Sequence, residues 1–408
     1  MSQDIYGNYV QQNEVANIYG ANVSPFGDLI TNQLEPVVQL DFVYGINTQT
    51  GVSTTANSAT VDTSSSRLRL QSGTNSAGSA IFNSRRIIKY RPGQGIIARF
   101  TPIFDTPQAS STQIWGVGNS DDGYFFGYNG TTFGILHRIR TVDTWIPVAS
   151  WNADKVDGTG SSGFNWNKTF GVPVMIKYPY LGYGDIFFYL QDSDTGKWLL
   201  VHTIKYANTV NTTQLGNPGL FFYGQCLNSG NTTNLTMYCG SMGAFSCGER
   251  SFVGSPKWAM DNNKSTITTE TAILSIRNAT TYNGVTNRSL IRLNSLSAGA
   301  TGNNVSVVRL KIGATLGGTP AFTTINGTTA NNGVTITSGN SITSYDIAAT
   351  TVTGGNYLFN HSLVGNASQS IDLGPYAIFI SPGETLTASF FAAASASCSI
   401  SLNWSEDI

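Results

Sequence analysis

The stretch that most constrains this chain is a turn followed by an alternating run. Tyr90-Arg91-Pro92-Gly93-Gln94-Gly95 supplies a fixed φ at Pro92 and free backbone at its glycines. Beyond it, Ile96, Ala98, Phe100 and Pro102 point one way, and Ile97, Arg99, Thr101 and Ile103 point the other. That is the period of a strand. Upstream, Ile87, Ile88 and Tyr90 end another extended run. Downstream come Ile114-Trp115-Gly116-Val117-Gly118, Asp122-Gly123, Tyr124-Phe125-Phe126-Gly127-Tyr128, Asn129-Gly130 and Phe133-Gly134-Ile135-Leu136. Asp-Gly and Asn-Gly between apolar runs are hairpin signals, so the unit reads as a β-meander.

Composition agrees with an all-β chain. Charged residues are 11% of 408, far below the roughly 25% of an ordinary domain. Gly, Ser, Thr and Asn recur throughout, and no block of strong helix formers exists. The length allows two domains. Net charge is −1 with no basic patch, which speaks against nucleic-acid binding. No run of about 20 apolar residues suggests a membrane span, and Met1-Ser2-Gln3-Asp4 lacks the features of a secretory leader. The expectation is synthesis in a cytoplasm with no membrane partner. Cys226, Cys239, Cys247 and Cys398 have no metal-site spacing and read as free, half-buried thiols, with a Cys226–Cys239 or Cys239–Cys247 bridge as the alternative.

In order, residues 1–36 read as a polar-aromatic arm without apolar period. Tyr6, Tyr9, Tyr19, Phe26 and Leu29 are its docking candidates, on a partner surface or on its own subunit. Residues 37–250 read as a first β-sandwich. Residues 47–66 are expected to be mostly loop, with a short strand at Thr60-Val61-Asp62, and the hairpin of Ile186 to Leu190 with Trp198 to Ile204 is expected near the sandwich centre. Strand number and long hairpins suggest a concanavalin-like sandwich. Residues 251–268 read as a linker. Residues 269–408 read as a second, jelly-roll-like sandwich of regularly recurring strands and turns such as Ser381-Pro382-Gly383-Glu384.

Several of these segments resemble a family of virion structural proteins of tailed phages and large DNA viruses. The likeness is carried by the Tyr90–Gly95 turn, the Gly116-Val117-Gly118 to Gly130 meander and Phe26-Gly27-Asp28-Leu29. It also includes Leu181-Gly182-Tyr183-Gly184 with Thr195-Gly196 and Leu200-Val201-His202, and the ending Leu402-Asn403-Trp404. The resemblance implies a capsid- or tail-associated protein at the virion surface, partnered by other virion proteins. It also implies a homo-oligomer, with a trimer as the expected state.

The residues themselves offer little catalysis. His137, His202 and His361 lack a nucleophile elbow to pair with. A concanavalin-like sandwich can carry glycosidase chemistry, which needs two carboxylates in a cleft. Here Asp121, Asp122, Asp185, Asp192 and Asp194 fall at turns or strand ends, where Asp most often caps the turn. Asp192-Ser193-Asp194-Thr195-Gly196 resembles half a calcium loop, yet a β-turn explains it better. No catalytic residue, metal ligand or cofactor is assigned. For glycan contact the candidates are Trp145, Trp151, Trp166, Tyr180 and Tyr183, since ring stacking beside Asn and Asp makes a sugar platform; the competing reading is core or interface aromatics. Two functions stand open: a non-enzymatic virion structural protein anchored by its arm, and a host-glycan-binding adhesin or tail fibre.

Overall fold

The computed structural model describes residues 34–248, 255–302, 305–326, 329–331, 334–336, 340–364 and 366–408, together with the backbone of 2–3 and 9–10. Ser2–Gln3 pairs with Tyr9–Val10. Of the arm candidates, Tyr6, Tyr19, Phe26 and Leu29 lie outside the described residues, and of Tyr9 only the backbone is described. The chain divides into two compact units, Met1–Arg250 and Ser251–Ile408. Both are all-β. Helix among the described residues is limited to two single-turn 3-10 segments, Val148–Ser150 and Gly374–Tyr376.

The first unit contributes β1 (Glu35–Asp41), β2 (Gly51–Ala56), β3 (Thr60–Ser64), β4 (Arg67–Gln71), β5 (Ser79–Ser84), β6 (Ile96–Ile103), β7 (Ser111–Gly118) and β8 (Gly123–Asn129). They are followed by β9 (Thr132–Ile139), β10 (Val142–Pro147), β11 (Val174–Tyr178), β12 (Ile186–Gln191), β13 (Trp198–Ile204), β14 (Phe221–Asn228) and β15 (Thr236–Ser246). One sheet has the order β10-β9-β8-β7-β14-β5-β2 and the other β13-β12-β11-β6-β15-β4-β3, with β1 also on β15. All pairings are antiparallel. One apolar cluster, including Trp115, Tyr124 and Phe126 from one sheet and Ala98, Phe100, Ile176 and Phe188 from the other, fills the space between them. This is a two-sheet sandwich, as expected.

Three local expectations need correction. Residues 51–56 are strand rather than loop, because Gly51–Ala56 pairs along Ser79–Ser84. The β12–β13 hairpin lies at an edge, with β6 and β15 nearer the middle. Its apolar content suited a centre, but long-range pairing decides position and local pattern does not show it. The third correction is the linker. Residues 257–267 form an eleven-residue strand that pairs with the last strand of the chain.

The second unit accordingly begins with β16 (Lys257–Ile267). It continues with β17 (Thr271–Asn278), β18 (Leu290–Thr301), β19 (Val305–Ile312), β20 (Thr323–Asn326), β21 (Asn340–Asp346) and β22 (Asn356–Val364), and ends with β23 (Ser368–Asp372), β24 (Phe379–Ile380), β25 (Thr385–Ala392) and β26 (Ala396–Asp407). One sheet runs β16-β26-β18-β23 with β24 on β18; the other runs β20-β21-β17-β25-β19-β22. Leu293, Leu296, Leu402 and Trp404 of the first meet Ile276, Leu310, Leu386 and Phe390 of the second in one core. The early strand β17 pairs with the penultimate β25, a jelly-roll-like return of the chain.

Candidate functional site

The strand that organises the sequence also organises the site. Side chains of β6 alternate between the inter-sheet core and the outer face of the eight-stranded sheet. Ala98 and Phe100 enter the core, and Arg99 and Thr101 emerge on the other side. Across the sheet, Arg99 stands opposite Met175 on β11 and opposite Gly243 on β15. Gly243 matters here: an added Cβ would lie 3.1 Å from the ring of Phe245, so the ring rests over this bare stretch of backbone. The Arg99 guanidinium carbon sits 5.7 Å from the Phe245 ring centroid and 5.8 Å from that of Trp198, the first residue of β13. Ile97 and Met175, both buried yet outside the inter-sheet cluster, pave the face beneath.

A cleft of about 450 Å³ opens here, with Trp198, Phe245, Thr101, Ser241, Gln39 and Asp41 among its lining. Trp198 is 36% exposed. The buried Nε of Arg99 has no hydrogen-bond partner. Burial lowers the guanidinium pKa from its ordinary value. Lys177 stands on the same face, opposite Ile97, with its ammonium 5.1 Å from the Tyr189 ring. Its pKa is lowered first by burial and then by the charge of Arg99. Asp41 is the one carboxylate among the described residues lining the cleft, and its Oδ1 accepts the Val43 N–H at 3.3 Å. The arrangement can stack a ring on an indole and offer hydrogen-bond donors and acceptors around it.

The five aromatic residues singled out in the sequence do not converge on one surface. Trp166, 1% exposed, packs edge-on against Phe104, Phe126 and Phe133 inside the sandwich. Trp151, 4% exposed, packs on Phe126 and Phe133 and donates its Nε1–H to the Ile146 carbonyl at 3.2 Å. Neither can meet a sugar, because both rings are buried in the core; in the sequence they stand in polar connecting segments, where no alternation shows which way a side chain points. Trp145 is half-buried on the outer face of the seven-stranded sheet, against the cluster of Ile114, Phe125, Leu136 and Tyr223. Tyr180 is half-buried edge-on to Tyr90, with ring centroids 5.0 Å apart. Tyr183 is exposed and donates to the Asn211 carbonyl at 3.1 Å. Strand alternation sets Arg99 on the face opposite Ala98 and Phe100 without saying which face is outward, and nothing in the sequence singles out Trp198, whose strand reads as a continuous apolar run.

The titratable groups elsewhere are structural. His137 is buried with Nε2 2.8 Å from the Gln214 carbonyl oxygen, and burial lowers its pKa. His202 Nδ1 accepts the Asn152 N–H at 3.2 Å. His361 hydrogen-bonds Gln369. Asp122 accepts the Arg140, Gly216 and Asn217 N–H groups, Asp185 those of Tyr206 and Ala207, and Asp192 the Asp194 N–H and Thr195 hydroxyl. Each is a turn organiser. The four cysteines are free. The second unit carries a larger groove of about 900 Å³, lined mainly by Ser, Thr and Asn. Its Lys264 ammonium is occupied by the Ala272 carbonyl at 2.8 Å and by the Ala349 carbonyl.

No protein-family model and no curated protein matches the chain. Solved structures do. A lectin from Bauhinia forficata in complex with GalNAc aligns at 13% identity over 51% of this chain and 97% of that one, with a TM-score of 0.32. The carbohydrate recognition domain of Emp47p aligns at 9% identity over 53% and 97%, with a TM-score of 0.33. A β-1,3-glucanase from Mycobacterium marinum aligns at 10% identity over 52% and 97%, also at 0.33.

Proposed function

We propose that this chain is a glycan-binding protein that does not cleave its ligand, and that its first unit takes a sugar in the Trp198 cleft. The observation that carries this reading is the exposed indole walling an open cleft of about 450 Å³ with hydroxyl, amide and carboxylate groups on its floor and rim. The apolar face of a pyranose stacks on an aromatic ring, while its hydroxyls need a few well-placed polar partners. Hydrolysis needs two carboxylates flanking one glycosidic bond. Asp41 has no second carboxylate across the cleft among the described residues.

The setting comes from the sequence resemblance: a virion surface, with residues 1–36 as the anchor and the chain assembled as a homotrimer with other virion proteins. In that setting the ligand is a host-surface glycan and the protein an adhesin. The test is a glycan array followed by calorimetry. The intact chain should bind a defined set of glycans, and Trp198→Ala should weaken them at least about tenfold, the loss of roughly 1.4 kcal/mol of stacking. Unchanged binding by Trp198→Ala would remove the cleft from the function.

A further inference from the structure

Arg99 and Lys177 are two half-buried cations on one sheet face with no anion paired to them among the described residues, the Cys247 thiol being the titratable group near both. Several cations of this sparsely charged chain have anion partners, while Lys168, like Arg99 and Lys177, lies against rings. Arg69 meets Asp62 at 2.6 Å, Arg138 meets Asp143 at 2.6 Å, and Arg309 and Lys311 share Glu270 at 2.9 and 3.0 Å. No described residue forms a hydrogen bond or ion pair with the head group of Arg99 or Lys177; their close neighbours are the rings of Trp198, Phe245 and Tyr189. Rings compensate part of the lost hydration of a cation but leave its N–H donors unused.

We infer that the cleft ligand is an anionic sugar, a pyranose bearing a carboxylate or sulfate, whose charged group seats against Arg99, with Lys177 next along the same face outside the cleft lining, while its ring stacks on Trp198. This rests on the glycan-binding reading above. Geometry supports the polarity of the fit. Asp41 lies two strands from Arg99, opposite Ser241 and one row further along. With strands about 4.8 Å apart and about 3.4 Å of rise per residue, the two backbone positions lie roughly 12 Å apart along the face, a span for an oligosaccharide rather than a single ring. Asp41, Ser241 and Gln39 then face the hydroxyl end of the ligand and the cations face its charged end. An anion also relieves the repulsion between these two neighbouring cations. Guanidinium pairs with carboxylate and sulfate oxygens through two parallel hydrogen bonds, which adds orientation to charge.

The experiment is calorimetry on the full chain with trigalacturonate, a sulfated galactose trisaccharide, neutral galactotriose and inorganic sulfate, at low and high salt. One acidic trisaccharide should bind at least about tenfold tighter than the neutral one, and the difference should shrink with salt. Which acidic probe wins identifies the anionic group. Arg99→Gln should reduce that preference, the ratio of acidic to neutral affinity, to about threefold or less. Lys177→Gln, which leaves the Trp198 wall intact, should reduce it partly; the melting temperature of each variant checks the fold. Equal binding of neutral and acidic probes, both lost in Trp198→Ala, would overturn the anionic inference and leave the glycan reading standing. An acidic preference unchanged in both charge variants would do the same. Sulfate bound as tightly as the sulfated sugar and independently of Trp198, or no sugar bound at all, would overturn both.

Discussion

At the scale of residues, the core of the first unit depends on what is missing as much as on what fills it. Gly224 faces Trp115 across β14 and β7, and an added Cβ would lie 2.0 Å from the buried indole. Gly224→Ala therefore forces the ring or the strand to move and should cost about 2–3 kcal/mol, read as a lower urea midpoint. His202 makes a second residue-scale prediction. Burial brings its pKa down to about 4, and its Nδ1 is engaged as an acceptor. The unfolded imidazole titrates near 6.5, so between that value and about 4 the unfolded state holds the extra proton. Stability is thus fully present above about pH 6.5 and falls as pH drops through the window, by up to about 3 kcal/mol. His137 acts in the same direction. Urea titrations at pH 7 and pH 4.5 should show the loss, and His202→Gln should reduce it. Asp154 and Asp185, held below the ordinary carboxylate range by backbone N–H donors, lose their contribution only at lower pH.

At the scale of elements, alternation and turn chemistry made β6 and the β7–β9 meander legible, down to the left-handed Gly130 between Asn129 and Thr132. The next hairpin was less so. It turns on Arg140 and Thr141, both left-handed, with no Gly or Asn to announce it. The reason is non-local: Asp122 accepts the Arg140 N–H and the Asp121 carbonyl accepts that of Thr141. Strand β16 hid differently. Its inward positions are Trp258, Met260, Asn262, Lys264 and Ile267, so two of its five core-facing side chains are polar and the run resembles a linker. Asn262 and Lys264 are admitted because they donate to the Ile273 and Ala272 carbonyls at 2.7 and 2.8 Å. The site was hidden for a related reason: Arg99 and Trp198 lie on strands with β11 and β12 between them, and only the pairing order joins them. A fragment of residues 255–408 should then give a dispersed amide spectrum. One of residues 269–408 leaves the edge of β26 bare and should aggregate or lose dispersion. Equal dispersion from both fragments would show that β16 is dispensable.

For the whole molecule, the two principal apolar clusters share no residue, so each unit has the means of its own cooperative transition. The arm is a separate matter. Its aromatic residues are spaced along a polar chain, and ordering such a segment costs roughly 1–2 kcal/mol per residue, which docking on a partner or on its own subunit must offset. If residues 1–36 anchor the chain to a virion, as proposed above, a chain starting at Glu35 should keep its β-type circular dichroism and fail to join particles. Incorporation equal to the full chain would show that the arm is not the anchor. The cysteines carry a last consequence. Burial lifts Cys226, Cys239 and Cys398 to about 12 and Cys247 to about 11. At pH 8 a thiol of pKa 12 is thiolate about one part in ten thousand. A sulfhydryl reagent then meets almost nothing in the closed protein, and its rate of uptake becomes a clock for strand opening. Two of the silent thiols tick for the first unit and one for the second, so each sandwich carries its own timer.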